Sequence, residues 1–311
     1  MSVPGALALT FACGLAVMFA LWVASLARRD VSIVDIWWGP GFAFLAAIAF
    51  SLAAAPGSRG TLLLALVAIW GVRLGGHLLW RNWGHGEDAR YAQMRRHHGE
   101  RFRWISLATV FGLQALLQWV VSLPLLLAQL VPGVRPLGVL DACGVALFAT
   151  GLFFEAVGDA QLARFRADPS NRGRVMDRGL WHYTRHPNYF GDCLVWWGFF
   201  AIAAATPAGP WTLASPLLMT FLLLRVSGVA LLERSLVRTR PEYRDYIART
   251  SAFTSRAPPP SSRARPSEEH AEAARRAGGG PARAWLPVFS VPERMASSGG
   301  GAFGQNNPQA A

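Results

Sequence analysis

Residues 181–206 read "WHYTRHPNYFGDCLVWWGFFAIAAAT". Arg185, His186, Asn188 and Asp192 crowd the front of a segment that is otherwise apolar from Phe190 onward. An apolar run of this length is close to what a helix needs to cross a bilayer core. Charges at such a place cost free energy unless they are partnered or functional. Pro187 disfavours helical geometry at His186 and suits the first position of a new helix. A helix is therefore expected to begin at about Pro187, with its free N–H groups and positive dipole end directed at Arg185 and His186. Cations there are unfavourable unless they share an anion, and a phosphate group is the natural candidate.

The rest of the chain places this segment in a membrane. Of 311 residues, 52% are apolar, with 13 Trp and 18 Phe, more than a soluble domain of this length needs. Seven apolar runs, near 5–27, 36–55, 61–80, 104–131, 138–158, 190–206 and 211–232, suit membrane-crossing helices. The fold class expected is all-α, a polytopic membrane protein of about seven transmembrane helices. The first run lacks a basic leader and a small-residue cleavage motif, so it reads as a retained helix rather than a signal peptide.

The formal charge of +12 comes from arginine alone, since the chain contains no lysine. Arg28 and Arg29 follow the first run, Arg59 the second and Arg135 the fourth. Six arginines follow the third run (Arg81, Arg90, Arg95, Arg96, Arg101, Arg103) and six the fifth (Arg164, Arg166, Arg172, Arg174, Arg178, Arg185). By the positive-inside rule this alternation puts the N-terminus outside and the C-terminus in the cytoplasm of a multi-pass inner (plasma) membrane protein. The basic loops are short and contain carboxylates, and no nucleic-acid module is recognisable, so no nucleic-acid partner is expected. Anionic lipid accounts for part of the charge. Cys13, Cys143 and Cys193 form no C-x-x-C pair, which argues against a disulfide framework or a zinc site.

Residues 1–253 read as one integral-membrane domain, with residues 138–253 as its cofactor half. Residues 254–311 are rich in Pro, Ser, Arg, Ala and Gly and are expected to form a disordered cytoplasmic tail. No internal repeat supports an inverted-repeat transporter.

In the fifth run Glu155 and Asp159 lie four residues apart on one helical face, and Gln161, Arg164 and Phe165 continue that helix. "ADPSN", 167–171, reads as a turn. Arginine offers forked donors for phosphate oxygens, and Asn188 both donates and accepts, as an amide or adenine edge requires. Asp192, four residues after Asn188, is placed to neutralise Arg185 or to accept from a ribose hydroxyl. A plainer account makes Arg185 a cytoplasmic anchor with Asp192 as its partner. Neither a G-x-G-x-x-G nor a P-loop motif occurs, so a nucleotide would have to be held by membrane helices and their loops.

"GLWHYTRHPNYFGD", 179–192, resembles the R-H-P-x-Y-x-G signature of the steroid 5-alpha-reductase superfamily, which is shared with sterol C=C reductases and isoprenylcysteine carboxyl methyltransferases. The likeness is greatest to its bacterial branch of uncharacterised membrane proteins and runs from about residue 30 to 253. Supporting segments are "DVSIVDIWWGPGF" (30–42), "RLGGHLLWRNWGHGEDARY" (73–91), "FRADPSNRGRVMDRGLW" (165–181) and "ERSLVRTRPEYRDYIARTSAF" (233–253). The resemblance implies an NADPH pocket facing the cytoplasm. Its candidate cofactor residues are Arg164, Arg166, Asn171, Arg172, Arg178, Tyr183, Arg185, His186, Asn188, Tyr189, Asp192, Glu233, Tyr243 and Tyr246. "TSAFTSR" (250–256) stands where relatives usually place a proline after the aromatic, and the family's catalytic Glu–Tyr pair has no secure match here.

On the substrate side, Arg73, His77 and Arg81 are spaced by four on one helical face, and so are Glu87 and Tyr91. Glu87 and Tyr91 are expected to pair near a substrate carbonyl, with His77 as a further catalytic candidate. The plainer account is a snorkelling basic stripe and a solvated "EDAR" loop. Asp35 is a candidate partner for one of these arginines, and Gly71 and Gly75 signal close helix packing. The function expected is NADPH-dependent hydride transfer to a lipophilic unsaturated substrate of steroid, isoprenoid or fatty-acyl type. The alternatives are an S-adenosylmethionine-dependent lipid methyltransferase and a non-catalytic lipid- or nucleotide-binding membrane protein.

Overall fold

The computed structural model describes residues 1–55, 57–131, 136–226, 229, 233, 236–237, 240 and 242–253. The expectation for the tail, 254–311, lies outside these residues, as does Arg135. Among the described residues every regular element is a helix. In order they are α1 (Val3–Arg28), α2 (Ile33–Leu52), α3 (Ser58–Asn82), α4 (Ala89–His98), α5 (Phe102–Ser106), α6 (Leu113–Val121), α7 (Leu123–Leu130), α8 (Val139–Ala167), α9 (Leu180–Tyr183), α10 (Pro187–Ala203), α11 (Ala214–Phe221) and α12 (Tyr243–Arg249).

Among the described residues, six segments are long and apolar enough to cross a membrane: Val3–Arg28, Ile33–Leu52, Ser58–Asn82, Ala89–Val121, Val139–Ala167 and Gly209–Val226. The fourth is built from α4, α5, a wide π-type turn at Leu107–Gly112 and α6. It stops at Val121, short of the end expected at 131, because Pro124 at the start of α7 opens a new helix after Ser122. At 17 residues, α10 is shorter than the other six. It begins at Pro187, and His186 caps it in a non-helical conformation, in keeping with the bar on helical geometry before proline. The fifth apolar run extends as helix nine residues beyond 158, to Ala167, carrying Asp159, Arg164 and Arg166 on regular helix.

The α8–α10 pair is the closest contact in the fold, and glycine makes it possible. Gly144, Gly151 and Gly158 recur every seven residues on α8, opposite Gly198, Gly191 and Pro187 of the antiparallel α10. A Cβ at Gly151 would sit 2.5 Å from the Gly191 carbonyl oxygen, and one at Gly191 would sit 2.4 Å from that of Gly151. The backbones therefore touch, which is how membrane helices gain packing where lipid offers no hydrophobic drive. The α2–α3 contact uses the same device: Gly71 lies against Gly39, and Gly75 against the Pro40 ring. This is the close packing that Gly71 and Gly75 signalled.

These two helix pairs are joined by a buried aromatic cluster. Phe42 of α2 meets Trp196 of α10 at 4.6 Å and Trp70 of α3 at 5.8 Å between ring centroids, and Phe199 and Phe148 extend the stack onto α8. At one end of α3 and α8, Arg59 and Asp141 form a buried two-point ion pair of 2.7 and 2.9 Å. Arg59 also donates to the Pro136 carbonyl, and Asp141 caps its own helix through Gly138 N–H. Arg59, read from the sequence as a lone loop charge, is an interhelical tie.

Replacing Gly151 or Gly191 by alanine is expected to cost about 1–3 kcal/mol, because each methyl must displace backbone rather than a flexible side chain. Gly76→Ala on the exposed face of α3, where a Cβ meets nothing within 4 Å, is expected to be neutral or mildly stabilising. Thermal unfolding of the three variants in one detergent tests the contrast, and equal losses would refute it.

Candidate functional site

The C-terminal end of α3, the C-terminal half of α8 and the first turns of α10 meet below the aromatic cluster and bring their polar residues together. Arg73 bonds Asp159 closely and lies 3.4 Å from Glu155. Trp70, one turn before Arg73, donates its indole N–H to Glu155 at 2.8 Å. His77 lies 3.6 Å from Asp159, and Asn188 donates to the same carboxylate at 3.3 Å. Glu155 and Asp192 are both buried. Ionisable residues at membrane depth are expected to face one another in this way.

Outward from this cluster, a cleft opens between the end of α8, the 171–181 loop, and Leu236, Arg240, Tyr243 and Tyr246. Arg166, Asn171, Arg185, His186 and Arg240 supply its polar lining, and Phe165, Trp181, Tyr243 and Tyr246 its aromatic walls. Arg166 stands in the field of Arg81 and Arg240 and is offset by Asp159, so it links the cleft to the intramembrane cluster. Two further guanidiniums acting on Arg166 favour an anion beside it. Its lining, aromatic walls with a few convergent polar groups, is of the kind that ligand pockets have.

The wall formed by residues 242–253 is strapped down by Arg185. This side chain is 8% exposed; it pairs with Glu233 at 2.7 Å and donates to the carbonyls of Thr250 and Ile247. Its backbone N–H bonds Ser251 O at 2.9 Å, Thr184 donates to Ala252 O, and Tyr246 donates to Trp181 O. His186 Nε2 lies 3.0 Å from Glu233, and its ring stacks on Tyr189 at 5.5 Å. Asp192 therefore does not neutralise Arg185: that charge is taken by Glu233, which approaches from the far end of the chain.

Of the residues expected to hold a cofactor, Arg166, Asn171, Arg185, His186, Tyr243 and Tyr246 line the cleft. Asn188, Tyr189 and Asp192 instead face the intramembrane cluster, and Glu233 ties Arg185 and His186. Arg164, Arg172, Arg178 and Tyr183 are exposed and lie outside the cleft lining. Arg240 and Trp181 were missed as pocket residues. Trp181 stands inside the quoted motif, whereas no local signal marks Arg240.

The Glu87–Tyr91 pair does not form. Glu87 precedes α4 rather than sharing its face, so it binds Arg95 at 2.7 Å and accepts from Val31 N–H. Tyr91 donates instead to Asp35 of α2 at 2.8 Å. Asp35 likewise takes neither Arg73 nor Arg81 but Arg90, at 2.8 Å, because Asp35 opens α2 beside the start of α4. Tyr189 lies in the field of Arg81, Arg90, Asp159 and Asp192, between this group and the α3–α8–α10 cluster. Among the described residues no group of His, Cys, Asp or Glu is arranged to hold a metal.

Burial, reinforced by the neighbouring Arg185, depresses the imidazole of His186 below its ordinary 6.5, although Glu233 opposes the shift. Burial raises Glu233, but its bonds from His186 and Arg185 outweigh that and hold it below its ordinary 4.5. Both depressed groups favour the folded state above their unfolded values and withdraw that support as pH falls. Acidification from about pH 7.5 to about pH 5 should therefore lower the melting temperature and speed amide exchange in residues 243–253. His186→Gln should flatten the response above about pH 5. An unchanged slope in that variant would assign the effect to other groups.

Comparison with protein families matches residues 21–250 to the DUF1295 family, described as proteins of unknown function. No curated protein and no solved structure matches the chain. The matched residues include the whole α3–α8–α10 cluster, the cleft and Arg185 with its strap up to Thr250, and the chain belongs to the DUF1295 family.

Proposed function

We propose that this protein is a membrane-embedded, NADPH-dependent reductase of a lipophilic unsaturated substrate. The cleft carries the reading: Arg166, Arg240 and Asn171 form a polar floor between Phe165, Trp181, Tyr243 and Tyr246. Guanidiniums suit the phosphates of a dinucleotide, and aromatic faces suit its bases. A zwitterionic S-adenosylmethionine makes less use of that charge. The R-H-P-N-Y-x-G-D resemblance to steroid 5-alpha reductases and sterol reductases points the same way.

Under this reading the bound cofactor supplies hydride, and the chain supplies position and polarity. Arg166 and Arg240 hold phosphate, Asn171 orients a polar edge, and the strap tied by Arg185 keeps Tyr243 and Tyr246 against the ligand. Tyr91, which gives its one hydroxyl proton to Asp35 in the ligand-free chain, turns that proton to a substrate carbonyl when substrate is bound, and His77 keeps Asp159 oriented. Glu87 has a structural part, fixing Arg95 and the entry to α2. The arginine-rich end, with Arg81, Arg166 and Arg240, faces the cytoplasm of the inner membrane. Counting α10, whose 17 residues suffice for a thin or locally thinned bilayer, seven spans put the N-terminus outside.

Thermal stability of the detergent-solubilised full chain with NADPH, NADH and S-adenosylmethionine tests the reading. A ligand at about 100 times its Kd adds about 2.7 kcal/mol. NADPH is expected to stabilise most, and Arg166→Ala and Arg240→Ala to abolish the shift while leaving ligand-free melting near wild type. Stabilisation by S-adenosylmethionine alone would replace the reductase with a methyltransferase. No response to any of the three would leave a lipid-binding membrane protein.

A further inference from the structure

We propose that the corner between the end of α1 and the start of α5 binds an anionic phospholipid. Arg28, Arg29, Arg101 and Arg103 take its headgroup phosphate, and Phe19 and Trp104 carry its acyl chains. The corner is closed by Trp22, whose indole N–H donates to the Arg103 carbonyl at 2.8 Å. Phe102 is buried in one cluster with Trp22 and Val31. Arg101 and Arg103 therefore flank a residue anchored beside the end of α1.

The positive charge at this corner exceeds what the chain supplies against it. Five carboxylates occur between residues 28 and 104. Asp35 and Asp88 bind Arg90, and Glu87 binds Arg95. Asp30 is turned onto the Ser32 N–H, and Glu100 is exposed beside Arg101. Arg28, Arg29, Arg101 and Arg103 are all exposed, and among the described residues none of them has a carboxylate partner. Exposed Arg96, about one turn before Glu100, adds a fifth guanidinium. Even with Asp30 and Glu100 counted in full, cations are in excess. At a membrane surface such an excess draws anionic lipid, and the forked donors of arginine suit phosphate oxygens.

The aromatic rings set the depth. Phe19, Trp22 and Trp104 form a ladder with centroids 5.3 and 5.5 Å apart. Phe19 and Trp104 remain 54% and 59% exposed, although both belong to segments apolar enough to cross a membrane. Tryptophan favours the edge of the hydrocarbon. The Arg103 guanidinium lies over the Trp104 ring at 5.7 Å, so charge and aromatic surface coincide. Arg28 and Arg29 follow Trp22 by two turns, roughly 9–10 Å farther along the axis. That rise is on the scale of a headgroup layer, into which long side chains reach back. Rings on the hydrocarbon side and guanidiniums beyond them match a molecule with an apolar tail and an anionic head. A zwitterionic headgroup would bring its ammonium against the same guanidiniums, which selects for net negative charge.

Lipid retention by the full chain in non-ionic detergent tests this, read by native mass spectrometry with dioleoyl phosphatidylglycerol and dioleoyl phosphatidylcholine as probes. Phosphatidylglycerol should bind about tenfold more tightly or better. An arginine beside an anionic lipid is worth about fivefold, so Arg28→Gln with Arg29→Gln, and Arg101→Gln with Arg103→Gln, should each weaken retention about 25-fold. Arg164→Gln with Arg178→Gln removes the same charge from exposed positions elsewhere and should leave retention near wild type. Phosphatidylglycerol brominated in its acyl chains should quench tryptophan fluorescence more in wild type than in Trp104→Phe. Equal affinity for the two lipids, an equal loss in the Arg164/Arg178 variant, or equal quenching without Trp104 overturns the proposal. Displacement of the lipid by inorganic phosphate at constant ionic strength would mark a free-phosphate site and also overturn it. Should a double variant fail to fold, the lipid comparison and the quenching decide. No nucleotide or substrate enters the experiment, so its outcome is separate from the reductase reading.

Discussion

Backbone contact between α8 and α10 governs everything else at the candidate site. In hydrocarbon, two helices gain nothing by hiding side chains from lipid, so they approach closely only where small residues let peptide groups meet. Gly144, Gly151 and Gly158, facing Gly198, Gly191 and Pro187, make that approach continuous over four turns of α8. The seven-residue spacing keeps one seam facing the partner as the helices wind. A β-carbon at the centre of the seam would push the helices apart and widen the gap in which Glu155, Asp159, Asn188 and Asp192 meet.

With that seam closed, polarity is arranged in layers. The aromatic cluster of Phe42, Trp70, Trp196 and Phe199 forms a dry floor, and only its indole N–H groups carry polarity toward the carboxylates. The charged residues of α3 reach across this floor to α8, so that Arg73 is held by ions from another helix rather than by lipid headgroups. At the opposite end of the same two helices, Arg59 and Asp141 perform a similar tie. Ion pairs in such surroundings contribute registry more surely than net stability. Here they hold α3 and α8 in alignment although few of their backbone atoms approach.

The cleft depends on a different kind of contact, between residues far apart in sequence. Arg185 occupies the centre of the R-H-P motif, yet its guanidinium serves the chain's own C-terminal segment through Glu233, Ile247 and Thr250. An arginine in a phosphate-rich context is easily assigned to phosphate. Burial to 8% exposure and saturation by carboxylate and carbonyl oxygens make it a fastening instead. The groups left facing the cleft are Arg166 and Arg240, one on a helix end and one in the strap.

Much of the architecture is decided locally. Apolar length marks the membrane segments, Pro187 marks the start of α10, and the i, i+4 spacing of Glu155 with Asp159 and of Arg73 with His77 sets which groups share a face. These follow from chain geometry and the cost of charge in lipid, which act over a few residues. The extent of the fourth segment and the choice of partners do not. Glu87 and Tyr91 share a spacing but not a bond, because α4 begins after Glu87 and Asp35 arrives from α2. Asp192 and Arg185 lie near each other in sequence but separate, because Glu233 reaches Arg185 first. Arg240 enters the cleft only when the C-terminal strap is tied. Partner choice for a charge in a low-dielectric interior is settled by whichever counter-charge the packing brings nearest, and here the glycine seams of α8–α10 and α2–α3 set that packing.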